Sequence, residues 1–258
     1  MPIITLTTDF GSADGYVGAM KGVILGIAPN VRLVDLSHEI AAQDVRGAEY
    51  VLGRAVAFFP AGTVHLAVVD PGVGSRRRPL LIATPRASYV GPDNGLFTFA
   101  LNEAGAAVFE LDRPEFWLPN ISRTFHGRDI FAPVAAHLAR GVAPHTLGSP
   151  ICDPVRLPTF APQRRADGHV AGHVIHVDRF GNLITDIPGG WVGEDRWCIE
   201  IAGRRISHFG TTYADATTGA LLILVSSAGT LEIAARDGNA AARLGVGVGE
   251  AAILRPVV

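Results

Sequence analysis

The sequence has few cysteines, few charged residues and no long apolar run, and each shortage excludes a class of protein. Cys152 and Cys198 are the only cysteines in 258 residues, too few for a disulfide framework or a cysteine-based zinc site. No apolar stretch reaches the ~18–20 residues that span a bilayer. The first residues lack the basic and apolar regions of a signal peptide. We therefore expect a cytoplasmic protein that does not contact a membrane.

Charge is low and nearly balanced. Charged residues make up 18% of the chain, and the formal net charge is −2, which does not supply the basic surface typical of nucleic-acid binding. The hydrophobic fraction of 48% favours a well-packed globular protein over a disordered one. The length suits one large domain or two smaller ones.

The first 140 residues predict alternating strands and helices. Apolar runs typical of strands are separated by stretches with helical spacing or by Gly and Pro turns. The predicted strands are 3–7, 31–36, 63–69, 80–84 and 89–90, and the predicted helices are 16–27, 45–59 and 130–140. This alternation predicts an α/β domain with a mostly parallel sheet flanked by helices.

A proline-rich segment, 142–167, interrupts this pattern and predicts a linker. We place the domain boundary near residue 160, giving domains 1–160 and 161–258. Beyond it, short alternating strands are separated by Gly, Asp, Asn and Pro, which is typical of a smaller all-β, barrel-like domain. The predicted strands are 172–177, 183–187, 197–201, 220–225, 231–235 and 251–254.

The most informative stretch is a strand that ends at a carboxylate. Residues 64–69 lead directly into Asp70, a Pro-Gly-x-Gly turn and then Arg76, Arg77 and Arg78. Ligands bind beyond the carboxyl ends of strands in open α/β sheets, and a neighbouring arginine keeps a carboxylate ionised. A solvated surface turn is the alternative, and the glycines that follow the strand make a site the better interpretation.

Two further positions in the first domain are candidates. Asp9 ends the first strand, where a carboxylate can accept hydrogen bonds from a ribose diol; alternatively it caps the next helix, for which Asp14 competes. His126 precedes a predicted helix and lies between Phe125 and Gly127. Most single histidines are structural, but the N–H groups of a helix start favour a site for negative charge.

In the second domain, Asp178, Phe180 and Asn182 alternate between two predicted strands. They could share a pocket, with polar groups for donors and a ring as an apolar wall. A plain hairpin turn is equally compatible, because Asp, Gly and Asn all favour turns, and residues 226–229 are ambiguous in the same way. No histidine or acidic cluster has metal-ligand spacing, so we expect no metal.

Five motifs occur together in the order and spacing of one family: TTDFG (7–11), VVDPGVGSRRR (68–78), GPDNG (91–95), TFHGRDIFAP (124–133) and DRFGN (178–182). On these residues the chain resembles the S-adenosyl-L-methionine (SAM) hydroxide adenosyltransferases, or SAM hydrolases. This family is related to the fluorinating and chlorinating SAM enzymes. The resemblance covers nearly the whole chain.

The resemblance implies an α/β domain joined to a β-barrel and a homotrimer that binds SAM, its substrate, between neighbouring subunits without another cofactor. It implies a catalytic set of Asp70, Arg77 and His126. The implied substrate-binding residues are Asp9 for the ribose, Phe125 and Gly127 beside the histidine, and Asp178, Phe180, Asn182 and Ser227 for the methionine portion.

The chain also departs from the halogenating relatives. Ala228 stands where the fluorinating enzyme has an arginine, and 236–239 replaces its adenine contacts. Asp70 replaces a tyrosine of the halogenating enzymes, and Gly127 replaces a serine of the fluorinating one. Because a carboxylate at the reacting centre repels a halide, the sequence favours water as nucleophile.

We therefore expect hydrolysis of SAM to adenosine and L-methionine. Water would attack C5′ of the ribose with Asp70 as base, Arg77 holding that carboxylate and His126 holding the water. Arg76 or Arg78 could replace Arg77 if the turn is built differently. The alternatives are a SAM-dependent halogenase and a non-catalytic protein that binds SAM or adenosine.

Overall fold

The computed structural model describes residues 1–193 and 197–257. The chain divides into two compact units, Met1–Leu157 and Pro158–Val258. None of the described helices has the length and hydropathy needed to cross a bilayer.

The first unit is built on one seven-stranded sheet of order β2-β1-β3-β5-β4-β6-β7. Its strands are β1 (Ile3–Thr8), β2 (Arg32–Ser37), β3 (Thr63–Val68), β4 (Pro79–Ala83), β5 (Ala87–Pro92), β6 (Ala107–Glu110) and β7 (Ser149–Pro150). Its helices are α1 (Tyr16–Ile27), α2 (Val45–Ala55) and α3 (Ala132–Ala139).

The sheet is mixed, so the prediction of a mostly parallel sheet was wrong. The pairs β1–β2, β1–β3 and β3–β5 are parallel, whereas β4–β5, β4–β6 and β6–β7 are antiparallel. The reason is the length of the connections. Residues 84–86 alone join β4 to β5, and so short a connection can form only a hairpin, because parallel neighbours need a crossover.

Helices cover both faces of this sheet. Along β3 and the residue after it, Leu66 and Val68 belong to a buried cluster with residues of α1 and α3. Ala67 and Val69 belong to a second cluster with residues of α2. Alternate residues of a strand point to opposite faces, so the apolar run 66–69 reflects burial on both sides and carries Asp70 out of a rigid core.

The second unit is an antiparallel sheet of order β12-β11-β15-β9-β10-β14-β13, with β8 paired to β9. Its elements are β8 (Gln163–Arg164), β9 (Val170–Val177), β10 (Leu183–Pro188), β11 (Trp197–Ile201), β12 (Arg204–Ile206), β13 (Leu221–Val225), β14 (Thr230–Ala235), α4 (Ala240–Leu244) and β15 (Ala251–Pro256). A bridge between Phe209 and Ile223 brings the two ends together. The sheet is therefore nearly closed, which confirms the barrel-like prediction.

The proline-rich segment contains ordered structure that the sequence pattern did not predict. Residues 149–150 form β7 and pair with β6. Arg156 donates to Asn102 Oδ1, and the N–H of Leu157 donates to Thr98 Oγ1. These contacts attach residues 149–157 of the segment to the rest of the first unit. Prolines removed the periodicity that would have predicted the pairing.

Candidate active site

The loop after β3 turns back sharply enough to return an arginine to the strand end. The N–H of Val73 donates to Asp70 O, and that of Ser75 donates to Gly72 O. Gly74 has φ +74°, and a Cβ there would lie 2.3 Å from Arg123 O. Only glycine accepts both this dihedral angle and this close approach, so Gly74 lets the loop pack on the segment that precedes His126.

The loop brings Arg77 onto Asp70 in a buried, two-pronged ion pair. Arg77 Nε lies 2.9 Å from Asp70 Oδ1 and 3.0 Å from Oδ2, and Nη2 donates to Oδ2 as well. The side chains are only 9% and 5% exposed. The Arg77 guanidinium also lies 5.1 Å from the centroid of the Phe131 ring. Asp70 thus presents a carboxylate whose direction is set by two donors.

His126 extends this pair into a chain of three side chains. Arg77 Nη2 lies 3.1 Å from His126 Nδ1. Burial and the Arg77 charge lower the pKa of His126 from 6.5, so the imidazole is neutral at pH 7. Because a guanidinium only donates, Nδ1 is the acceptor and Nε2 carries the proton. His126 therefore offers one N–H donor.

Asp70 and His126 lie on the wall of a pocket of about 400 Å³, a volume typical of small-molecule sites. Three predicted substrate-binding residues, Asp9, Phe125 and Gly127, line the same pocket. The remaining lining residues are Phe10, Tyr16, Ala42, Gln43, Val68, Pro71, Val73 and Thr124. The structure thus gathers the candidates of the first unit around one cavity.

Aromatic rings form one side of this pocket. Phe10, Tyr16 and Phe125 meet edge to face, with centroid distances of 5.3–6.0 Å. The Arg128 guanidinium lies 5.0 Å from the centre of the Phe125 ring. Such edge-to-face groups hold rings in fixed orientations. Phe10 and Tyr16 were absent from the predicted site because isolated aromatic residues carry no sequence signal for a pocket.

Asp9 does not cap helix α1. The helix begins after Gly15 without a side-chain cap, and Asp9 Oδ2 instead accepts from the N–H of Gln43 at 2.8 Å. Gln43 has φ +67°, which is unusual for a residue with a side chain. Nothing in the sequence indicates this conformation, so Gln43 could not be predicted as a pocket residue. The bond from Gln43 uses only Oδ2 of the Asp9 carboxylate.

In the second unit, Asp178 and Asn182 form a tight hairpin turn between β9 and β10. Asp178 Oδ1 accepts from the N–H of Phe180 and of Asn182, and Oδ2 accepts from Asn182 Nδ2 at 3.0 Å. Phe180 is 74% exposed. Ser227 is exposed in the turn between β13 and β14.

Two neighbours of this turn were not predicted. Glu232 is 4% exposed and accepts a hydrogen bond of 2.7 Å from the Tyr213 hydroxyl. Burial and the charge of Asp178 raise the pKa of Glu232, although its hydrogen bond with Tyr213 acts in the opposite direction. The turn therefore lies in an acidic environment made by residues distant in sequence.

The structure also distinguishes the three arginines of the loop. Arg77 contacts Asp70, whereas Arg78 pairs with Asp93 and Asp153. Arg76 is exposed. Residue type alone does not separate them.

Within the described ranges, no three His, Cys, Asp or Glu residues gather in a way that could hold a metal ion.

Comparison with known families covers both units. Residues 4–148 match the SAM hydroxide adenosyltransferase N-terminal domain, and residues 172–253 match the corresponding C-terminal domain. The first match covers the residues that line the pocket, and the second covers the Asp178 turn.

Individual relatives agree with these matches. The chain is 42% identical over 254 residues to an (R)-S-adenosyl-L-methionine hydrolase of Salinispora arenicola, covering 96% of each chain. A fluorinase of Nocardia brasiliensis is 30% identical over 72% of this chain and 71% of its own. A solved structure of an uncharacterized conserved protein from Thermotoga maritima has a TM-score of 0.90 and 37% identity, over 98% of this chain and all of its own.

Proposed function

Because the chain belongs to the SAM hydroxide adenosyltransferase family, we propose that it hydrolyses SAM to adenosine and L-methionine. One observation carries this proposal. A buried carboxylate, held by a guanidinium that also contacts a neutral imidazole, lies on the wall of a pocket of suitable size. The fluorinase relatives are more distant than the hydrolases.

In the proposed reaction, a water oxygen bonds to C5′ as the C5′–S bond breaks. The electron pair of that bond passes to sulfur, so methionine leaves as a neutral thioether and needs no acid. The water proton passes to Asp70. Free hydroxide at pH 7 would cost roughly 12 kcal/mol, so the proton moves as the C–O bond forms. A positioned base contributes about 10²–10⁴-fold.

Arg77 and His126 have different tasks in this scheme. Arg77 holds both Asp70 oxygens and, by occupying His126 Nδ1, places the imidazole proton on Nε2. That N–H is the donor we assign to the attacking water. Orientation of the water opposite sulfur can supply up to ~7–11 kcal/mol. The three side chains therefore act as one unit.

The substrate-binding roles follow from which polar atoms remain available. We assign the ribose diol to Asp9 and the pocket wall to Phe125 and Gly127. Asp178 uses three of about four acceptor positions of its carboxylate within its own turn. The remaining position on Oδ2 suits the methionine ammonium, and we place Asn182, Phe180 and Ser227 around the same portion.

The Salinispora relative is named as a hydrolase of (R)-S-adenosyl-L-methionine, and we propose the same epimer as substrate here. We further propose a homotrimer that needs no metal. The exposed ring of Phe180 would be covered by another copy of the chain. A solution mass of three times 27.2 kDa and unchanged turnover in excess chelator would support these two proposals. A monomer or a chelator-sensitive enzyme would contradict them.

The central test is incubation of the purified protein with each SAM epimer in ¹⁸O-labelled water. We expect adenosine labelled at the 5′ oxygen, formed from the (R) epimer. Asp70→Asn, which keeps the shape but removes the base, should lower kcat by about 10²–10⁴-fold. Undiminished turnover by this variant would remove Asp70 from the mechanism, and a 5′-chloro product in chloride buffer would identify a halogenase.

A further inference from the structure

The GPDNG motif, residues 91–95, lies outside the pocket but contacts the loop that carries Asp70. Asn94 Nδ2 donates to the carbonyl oxygen of Val69 at 2.9 Å. Val69 immediately precedes Asp70. The other end of the amide is also occupied, because Asn94 Oδ1 accepts from the N–H of Leu96 at 3.2 Å. Asn94 therefore attaches the beginning of the loop to a fixed turn.

The adjacent residue, Asp93, attaches the other end of the loop. Its carboxylate is buried and accepts from Arg78 Nε at 2.9 Å, and its N–H donates to Arg78 O at 3.0 Å. Arg78 immediately follows Arg77. Asp93 Oδ1 also accepts from the N–H of Val155 at 2.8 Å, so the carboxylate is held from a second direction.

From these contacts we infer that Asp93 and Asn94 are positioning residues for the Asp70–Arg77 pair. Two neighbouring side chains hold Val69 and Arg78, the residues that directly flank the pair at the two ends of the loop. Neither side chain lines the pocket, so they act through the loop and do not contact substrate. The inference rests on the proposed function, since it assigns Asp70 as the base.

The loop needs this attachment because of its own composition. Between Asp70 and Arg77 lie Gly72 and Gly74, and glycine restricts the backbone least of all residues. Fixing both ends limits how far Asp70 can move relative to a bound substrate. Misplacement of a reacting group by about 1 Å can cost on the order of 10²-fold in rate.

The test compares Asn94→Ala and Asp93→Asn with a matched control, Asp153→Asn. Asp153 contacts the same Arg78 side chain but is 75% exposed, so its loss leaves the buried attachment intact. We expect the first two variants to lower kcat by about 10- to 100-fold and to leave KM nearly unchanged. The control should keep both parameters close to those of the wild type.

A second measurement does not depend on activity. The Arg77 Nε–H is buried against Asp70, and its NMR signal, assigned from its loss in Arg77→Lys, reports on that contact. We expect its exchange with solvent to accelerate at least about 10-fold in folded Asn94→Ala and Asp93→Asn, but not in Asp153→Asn, because exchange follows local opening.

The outcomes separate the two proposals. Faster exchange together with lower kcat supports the positioning role. Faster exchange in a chain whose wild type releases no adenosine supports the positioning of the pair and rejects the proposed hydrolysis. Unchanged exchange in both folded variants overturns the inference, whatever the activity.

Discussion

At the scale of the residue, the proposed chemistry depends on which nitrogen of His126 carries the proton. Arg77 accepts nothing, so its contact with Nδ1 requires that nitrogen to be unprotonated. Protonation of the ring would place a second cation against the guanidinium. The neutral Nε2–H form is thus the form in which Arg77 and His126 can keep their contact.

This predicts a pH dependence with a defined direction. Burial and Arg77 lower the pKa of His126 below 6.5, so the neutral form that the proposed mechanism uses predominates from pH 6.5 upward and is lost as pH falls through the lowered pKa. NMR titration of the ring should give its midpoint below 6.5. The contribution of His126 to the acid limb of kcat/KM should be absent in His126→Gln. A midpoint at or above 6.5 would contradict the assigned geometry.

The residue types of the site could be predicted, but several of their partners could not. A carboxylate after a buried strand indicated Asp70 from the sequence. The choice of Arg77 over Arg76 and Arg78 depended on the path of a glycine-containing loop. Gln43 reaches Asp9 through a backbone conformation that its residue type disfavours. Such choices are made by tertiary geometry and leave no local pattern.

At the scale of the element, a π-helical turn over Gly127–Phe131 connects His126 to α3. Asp129 is fully buried in it and accepts from the N–H of Ser122 at 2.8 Å and from Arg128 Nε at 2.6 Å. Arg128 in turn lies over the ring of Phe125. Turns of this kind are frequent at functional sites, and here one carboxylate holds the segment on both sides of the histidine.

We predict that Asp129→Asn lowers the free energy of unfolding by about 1–3 kcal/mol, because a buried charge-assisted contact is lost. Urea denaturation measures this change. Asp112→Asn is the matched control, since Asp112 also pairs with the arginine that follows it but is 37% exposed at its side chain; it should cost at most ~1 kcal/mol. Equal effects of the two substitutions would contradict the structural role of Asp129.

Elements were predictable where periodicity was unbroken. Helix α1 begins and ends at the predicted residues, whereas the helix predicted for 130–140 is a π turn followed by α3. The parallel pairs β1–β2 and β1–β3 followed from strands separated by helices. The antiparallel pairs made by β6 and β7 were missed because these strands carry too few residues for an alternation to show.

At the scale of the whole molecule, one buried histidine links stability to acid. His65 in β3 is 1% exposed, stacks on Tyr89 and shares a hydrogen bond of 2.8 Å with Thr5. Burial lowers the pKa of His65 to about 4. The unfolded chain, with a pKa near 6.5, binds the proton more readily than the folded chain.

Stability should therefore decrease as pH falls from about 6.5 to about 4, and the part due to His65 is about 3 kcal/mol at about 1.4 kcal/mol per pKa unit. Unfolding free energies from urea titrations across this range measure the decrease. His65→Phe keeps a ring in the core but cannot titrate, so its decrease should be smaller by about that amount. An identical pH profile for wild type and variant would show that His65 has no role in the acid response.

The buried Asp70–Arg77 pair also constrains how this chain could diverge. By resemblance, the halogenating relatives have a tyrosine at position 70. In this chain a tyrosine there would leave Arg77 without its carboxylate and would destabilise the fold by about 3–5 kcal/mol. A serine at position 127 would disturb the structure much less. Its Cβ would lie 3.3 Å from Met20 Sδ, the nearest atom, which would have to shift only slightly. Since loss of either partner leaves the other charge buried and unpaired, an evolutionary route from water to halide must replace Asp70 and Arg77 together, while a serine at position 127 requires only a small shift of Met20 Sδ.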